Sequence, residues 1–544
     1  MSKKVAGLLW IFALAACAHK PPAGPPQPVV QIAAPAAQTG GSRPESPALW
    51  RKEGEAILAD AQKPVSVHTR ARNLILFVGD GLGVSTVTAA RILQGQQTGA
   101  AGEENQLSFE HFPATALVKT YNTDRQTAEA AGAMTAILTG LKTRATSIGL
   151  DQTPSLGQCQ EAFGHEAKSL LETAKDAGLA AGVVSTMRIT HAVPAATYAH
   201  VSDRDWETDD RMPPAAIAQG CHDIAEQLVE FDHHGGLDVV MGGGRLAFTP
   251  AGQPDPQSAG RLGARQDGQD LIAKWRARYP GGRYIRTGSQ LAGVDWTSVS
   301  GPLLGLFSPD NMAFEADRVE AGDDQPSLTA MTKAAIAGLK RSPKGYVLLV
   351  DAGGIDRAHH AGNAGQALGE AIELSNAVQA AIEMTSEADT LIVVTADHGH
   401  TLTIGGYPKR GNPILGWARG EDGAPLLDAR GRPYTTLAYA NGPGAPEARA
   451  ALPADSDPAK DLTFLQTAAA PMVAETHGGE DVPVYARGPG AQWVHGAFEQ
   501  NGLYWIMQAA LEGIQPPPAP PPKPAKRSLI PKLPKLWPFG KDKT

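Results

Sequence analysis

Three continuous apolar runs in this chain each end on an aspartate. Leu74–Val78 runs through Gly79 into Asp80, Tyr346–Val350 into Asp351, and Leu391–Ala396 into Asp397, with His398 next. Runs of this length without polar alternation predict strands covered on both faces, as in a parallel sheet. Ligands of open α/β sheets bind beyond the carboxyl ends of the strands. The three acids are therefore expected at one edge of one sheet, although they are scattered from position 80 to position 397. Between them, helical and strand-like stretches alternate. Ala167–Ala177 reads as helix before Val183-Val184, and Asp238–Met241 reads as strand before Gly242-Gly243-Gly244. That alternation predicts an α/β body with a mainly parallel sheet, spanning residues 50–514. Residues 405–474 are rich in Gly, Pro, Arg and Asp and are expected to form an irregular insertion beside the site. No internal repeat is evident.

The pattern changes at both ends. Lys3-Lys4 precede an apolar stretch from Val5 to Ala16, too short to span a bilayer and suited to a secretory signal peptide. Its end, Leu14-Ala15-Ala16-Cys17, is similar to a bacterial lipoprotein cleavage box, which makes 1–17 the leader and Cys17 the lipidated residue. A plain signal peptide cut near Ala16 or Ala18 is the alternative. Residues 18–49 are rich in Pro, Ala, Gly and Gln and read as a disordered tether. The expected location is the bacterial cell envelope, exported to the periplasm and held to a membrane by lipid. Residues 515–544 begin with a proline tract and continue with seven basic residues against Asp542. Interleaved Leu529, Ile530, Leu533, Leu536, Trp537 and Phe539 suit contact with an anionic surface; a disordered, solubilising tail is the alternative.

Composition sharpens this in two places. A net charge of −8 with 19% charged residues leaves no basic stripe across the body, which argues against nucleic-acid binding. Three cysteines are present. If Cys17 carries lipid, Cys159 and Cys221 remain, either as a disulfide formed in an oxidising compartment or as two buried thiols.

The site chemistry lies in four segments. In Gly354-Ile355-Asp356-Arg357-Ala358-His359-His360, Asp356 and His360 share one helix face, and a carboxylate with an imidazole suits zinc. His359 faces elsewhere. Asp397-His398 supplies a second acid–imidazole pair, Gly79-Asp80-Gly81 lets the backbone turn closely beneath an ion, and His477 adds an imidazole from a loop.

These motifs resemble the alkaline phosphatase family, in its vertebrate-type branch. The resemblance rests on Val78-Gly79-Asp80-Gly81-Leu82-Gly83-Val84-Ser85-Thr86, Lys119-Thr120-Tyr121-Asn122-Thr123, Thr395-Ala396-Asp397-His398-Gly399-His400 and Glu475-Thr476-His477. It implies a large three-layer α/β sandwich, two zinc ions with a magnesium beside them, and a phosphorylated small molecule or free phosphate as partner. It implies Asp356, His360 and His477 on the first zinc. Asp80, Asp397 and His398 fall on the second, with Asp80 bridging to magnesium. It implies Arg204 as the phosphate clamp, a Cys159–Cys221 disulfide and a homodimer.

The departures are specific. Where the family has Asp-Ser opening a helix, this chain has Glu129-Ala130. An alanine methyl cannot form a phosphoryl-enzyme, so the covalent route is closed there. Glu129 is expected to orient Arg204. At the third metal site the family Glu matches Asp351 and the family Ser or Thr matches Val193, which offers no oxygen to an ion that demands hard ligands. Magnesium is therefore not expected there in the family's form. Arg357 is a further candidate for phosphate contact, and Thr127 is a displaced fallback nucleophile. The expectation is a metal-dependent phosphohydrolase of reduced or altered activity, acting through a zinc-bound water. The alternatives are a catalytically inactive zinc-containing, phosphate-binding envelope lipoprotein and a lipoprotein whose metals only stabilise the fold.

Overall fold

The computed structural model describes residues 70–445 and 458–511. The leader, Cys17, the tether and the basic tail lie outside the described residues. Eight strands come first: β1 (Asn73–Val78), β2 (Ala114–Lys119), β3 (Ala180–Arg188), β4 (Val239–Gly243), β5 (Arg283–Ile285), β6 (Leu303–Leu306), β7 (Tyr346–Asp351) and β8 (Thr390–Thr395). Five short ones follow, β9 (Gly399–His400), β10 (Leu402–Ile404), β11 (Leu437–Gly442), β12 (Thr467–Pro471) and β13 (His477–Gly478). The last are β14 (Val482–Arg487) and β15 (Gly496–Glu499).

Ten of them form one sheet, in the order β15-β2-β14-β8-β1-β7-β3-β4-β6-β5. Every neighbouring pair is parallel except the two made by β14, which runs against both β2 and β8. β1, β7 and β8 are buried at every position, as unbroken apolar runs require. β2, near the edge, alternates buried and exposed instead. The α/β class and the mainly parallel sheet expected from the sequence are both present.

Helices cover both faces. Val84–Gln97, Leu328–Leu339 and Gly354–His360 all pack on the long helix Ala364–Met384. A second group, Ala130–Thr139, Leu170–Asp176 and Ala192–Ala195, packs together on the other side. Strand β3 touches members of both groups, so the sheet is the middle layer. Small residues make this close packing possible: Ala130–Thr139 is buried throughout, with Gly132 lying against Asn122 and the Arg144 carbonyl.

The order β8-β1-β7 decides the site. Val78 is in register with both Asp351 and Thr395. Asp80, Asp351 and Asp397 therefore leave three adjacent strand ends, as their sequence context predicts. Residues 405–436 carry only turns and isolated bridges; β10, β11 and β12 form a separate small sheet. Cys159 and Cys221 are joined by a disulfide. No helix among the described residues is long and apolar enough to cross a membrane.

Candidate metal centre

Six side chains converge at the carboxyl edge of the sheet in two groups of three. In the first, Asp356 Oδ1 lies 3.2 Å from His360 Nε2 and 3.4 Å from His477 Nε2. The two Nε2 atoms are 3.1 Å apart. His360 Nδ1 donates to the Glu475 carbonyl at 2.6 Å, and His477 Nδ1 donates to the Ala128 carbonyl at 2.9 Å. A carbonyl only accepts, so each Nδ1 carries a proton, and the Nε2 atoms are the ones turned towards each other and towards Asp356. Two imidazole nitrogens and a carboxylate oxygen facing one point are a donor set that suits a zinc-sized cation. In the second group, His398 Nε2 is 3.3 Å from Asp80 Oδ1 and 3.4 Å from Asp397 Oδ2. Tetrahedral ligands at zinc bond lengths stand roughly 3.3 Å apart, so both spacings fit an ion of that size.

The electrostatics agree. Both Asp80 oxygens, Asp397 Oδ2, His398 Nε2, Asp351 Oδ1 and His191 Nδ1 are buried without any hydrogen-bond partner. Buried polar atoms are almost always paired. Burial, with the charges of Asp397, Asp356 and Asp351, holds the Asp80 carboxyl well above the usual carboxylate range. Burial likewise raises Asp351 and Asp397. Burial, reinforced by His477, pushes His398 well below the usual histidine range. A bound cation would give the bare atoms of Asp80, Asp397 and His398 a partner and bring the raised carboxyls down, while the neutral His398 ring suits a ligand.

Gly81 makes the close approach possible. Its φ is +79°, and a Cβ there would sit 2.4 Å from the His400 ring. Its N–H donates to Asp397 Oδ1 at 3.1 Å.

At the third corner, Asp351 Oδ2 accepts from the Ser185 hydroxyl at 2.6 Å, leaving Oδ1 bare. Val193 is fully buried and brings only methyl groups. The helix Ala130–Thr139 begins at the position where the resemblance places a serine. Glu129 is its N-cap: its carboxylate accepts from the Ala131 and Thr146 N–H groups, each at 3.0 Å, and from Arg204 Nη1. Glu129 is thus paired with Arg204 and also takes one of the helix-end donors that an anion would use. Arg204 Nη2 donates to His191 Nε2 at 2.7 Å. Burial, then the charge of Arg188, lowers His191 to about 4, so the ring is neutral and accepts.

Two further residues escaped sequence reasoning. His400 Nε2 is 2.9 Å from Asp356 Oδ1, and its Nδ1 is 2.5 Å from Glu475 Oε2. Glu475 also accepts from the Thr401 N–H and hydroxyl. Burial works to lower His400, but Asp356 and Glu475 carry it up to about 9. The available signal was the i, i+2 spacing of His398 and His400; β9 pairs His400 directly with His477 on β13. His359 is fully buried, bonded to Thr86 and Tyr439, and faces away from the six ligands' centre. Arg357 is not brought to the cradle: its guanidinium lies 3.8 Å over the Phe314 ring and donates to the Met312 carbonyl. Thr127 lies beside Gly479, outside the helix.

Known proteins resemble this chain over most of its length. A model of the alkaline phosphatase family matches residues 71–513. The tissue-nonspecific alkaline phosphatase of Gallus gallus is 44% identical over 86% of this chain and 90% of its own length. The alkaline phosphatase of Gadus morhua is 43% identical over 85% of this chain and 97% of its own. Among solved structures, Thermus thermophilus alkaline phosphatase superposes with a TM-score of 0.58 at 24% identity, covering 84% of this chain and 94% of that one. The fold and the extent of these matches leave one assignment: the chain belongs to the alkaline phosphatase family.

Proposed function

We propose that this protein is a metal-dependent phosphomonoesterase that works without a serine nucleophile. The observation that carries the reading is the set of buried, unpartnered donor atoms on Asp80, Asp397 and His398, beside the facing Nε2 atoms of His360 and His477. Asp356, His360 and His477 would hold one zinc. Asp80, Asp397 and His398 would hold a second. Asp80 and Asp351 border a third position, where Val193 weakens the case for magnesium. Zinc held there would lower the pKa of its water to about 7, supply a nucleophile near neutrality and offset phosphate charge.

The chain's own groups do the rest. Arg204, held by Glu129 and His191, clamps two phosphate oxygens and stabilises charge on the equatorial oxygens in flight. Ala130 is 2% exposed, and its methyl leaves the covalent route closed. Hydrolysis then proceeds by one displacement, with water attacking phosphorus opposite the leaving alcohol. One displacement inverts the configuration at phosphorus, where two would retain it. The protein is proposed to be exported, with its body tethered to a membrane through lipidated Cys17 and paired as a homodimer.

Ala130 also favours a second reading, a phosphate-binding envelope protein without turnover. Phosphate release from p-nitrophenyl phosphate separates the two, using zinc-loaded wild type, His477→Ala and Ala130→Ser. Release by wild type that His477→Ala abolishes, with inversion at a chiral phosphorus, supports the proposal. A silent wild type with an active Ala130→Ser sinks it and identifies a disabled enzyme. Silence in all three sinks it too, and phosphate calorimetry then tests binding alone.

A further inference from the structure

We propose that the third position, beside Asp80 and Asp351, is closed to metal ions by the tautomer of His191 and holds a water instead. This rests on the two-metal reading above and departs from the magnesium that family membership implies. Asp351 ends β7 in register with Val78, two residues before Asp80, and its charge acts on the Asp80 carboxyl. His191 caps the helix Ala192–Ala195, with Nδ1 4.0 Å from Asp80 Oδ2. Both of these atoms, and Asp351 Oδ1, are buried without a hydrogen-bond partner.

The tautomer decides what His191 can hold. A guanidinium only donates, and Arg204 Nη2 lies 2.7 Å from His191 Nε2. Nε2 is therefore the bare nitrogen, and Nδ1 carries the proton of the ring. An N–H has no lone pair to give a metal, and its positive end faces the Asp80 side. Arg204 is kept in this pose from its other end, since Nη1 is bound by Glu129, the cap of the helix Ala130–Thr139.

The other neighbours offer little oxygen. Val193 is fully buried and brings only methyl groups. Met187 is buried against Gly353, as is Asp351 Oδ2, and brings a thioether. The Ser185 hydroxyl is already used twice: it donates to Asp351 Oδ2 at 2.6 Å and accepts from the Met187 N–H at 2.8 Å. Magnesium demands an octahedral set of hard oxygens, and this wall does not assemble one. One N–H and two bare carboxylate oxygens are instead the partners that a single water satisfies, accepting from Nδ1 and donating to Asp80 and Asp351.

Titration of the zinc-loaded full chain with magnesium, and then with further zinc, tests this. Native mass spectrometry counts the ions per chain, and the melting temperature is followed alongside. Wild type is expected to carry two zinc ions, to add no third ion of either kind and to keep its melting temperature, which an ion bound to the native state would raise. The His191→Asp, Val193→Ser double variant supplies oxygens at both closed corners. It is expected to add one magnesium ion and to melt higher in its presence. A third ion on wild type that Asp351→Asn removes would overturn the proposal. A folded double variant that keeps its zinc and gains no magnesium would overturn it too, because the exclusion would then lie elsewhere. If the double variant does not fold, the wild-type titration decides alone. Fewer than two zinc ions on wild type would sink the two-metal reading, and the magnesium response of the same protein would still judge the third position.

Discussion

Two clusters of acids and imidazoles in this molecule look alike in the sequence and behave differently. At the carboxyl edge of the sheet, donor atoms of Asp80, Asp397 and His398 are buried and bare. Around Glu172, the ionised groups complete one another. Glu172 Oε1 takes His200 Nε2 at 3.0 Å and His233 Nε2 at 3.2 Å, while Oε2 takes the Ser169 N–H at 2.6 Å. His200 Nδ1 donates to the Gly149 carbonyl, and His233 Nδ1 meets Asp176, which Lys168 also binds. Hydrogen bonds from these histidines overcome burial and hold Glu172 far below the usual carboxylate range. The first cluster lacks positive charge and the second has enough. Residue type alone does not make a metal site; an unfilled valence does.

The largest expected effect comes from removing the metal. Each ion bound at a thousandfold excess over its Kd stabilises the native state by about 4 kcal/mol. Chelation should therefore lower the melting temperature sharply, while leaving the Glu172 cluster untouched. Asp80→Asn should then act with opposite signs in the two states. In metal-free protein it removes a buried carboxyl whose pKa is raised by burial and by Asp397, Asp356 and Asp351. Each unit of such a rise costs about 1.4 kcal/mol, so the variant should melt above wild type near pH 7. In metal-loaded protein it should melt below wild type. Calorimetry with and without chelator reads both, and the same sign in both states would break the contrast.

Much of this was legible in the chain because it follows from period and termination. A short apolar run with no alternation suits a strand covered on both sides, and β1, β7 and β8 are buried at every position. An acid at the end of such a run must lie at the sheet edge. Glu129 could be placed on Arg204 from the resemblance, and the two are paired. What could not be read was contact between segments remote in sequence. His400 looked like a passenger in Asp397-His398-Gly399-His400 until β9 paired with β13 and brought Glu475 to its Nδ1. Arg357 sits one residue from Asp356, yet its guanidinium is drawn to the Phe314 face rather than to the phosphate corner. Ser185 was invisible for the same reason, since only the pairing of β3 with β7 sets it beside Asp351.

Arg204 joins the two behaviours, since both its terminal nitrogens already have a partner while other N–H groups remain for an anion. Nη1 is on Glu129 and Nη2 on His191. Lysine offers one point charge in place of a planar fork and cannot serve both partners and phosphate. Arg204→Lys should weaken inorganic phosphate binding about 10- to 100-fold, roughly 1.4–2.8 kcal/mol. Glu129→Gln should cost less, because it keeps an acceptor for the guanidinium. Isothermal titration of zinc-loaded protein with phosphate measures both. Wild-type affinity in Arg204→Lys would place the phosphate elsewhere.

The smallest effect lies in the self-satisfied cluster and is a pH dependence. Hydrogen bonds to Glu172 and Asp176, against the opposing pull of burial, raise His233 from 6.5 to about 9. A histidine whose folded pKa is raised contributes stability that is fully present below its unfolded pKa and is lost as pH rises through the folded value. Glu172 is displaced the other way, so its contribution is present above 4.5 and lost as pH falls towards its lower folded value. Both contributions hold together between 4.5 and 6.5. The His233 part fades from there towards about 9. His233→Gln should therefore destabilise the protein most near about pH 6 and least near about pH 9.5. Urea unfolding of metal-loaded wild type and variant at the two pH values gives the difference directly. His233 is partly exposed, so salt should shrink that difference, whereas the unpartnered atoms at the buried centre should respond to metal and hardly to salt. A His233→Gln effect that stays constant across the range would mean that the pairing with Glu172 carries no charge, and the contrast between the clusters would rest on burial alone.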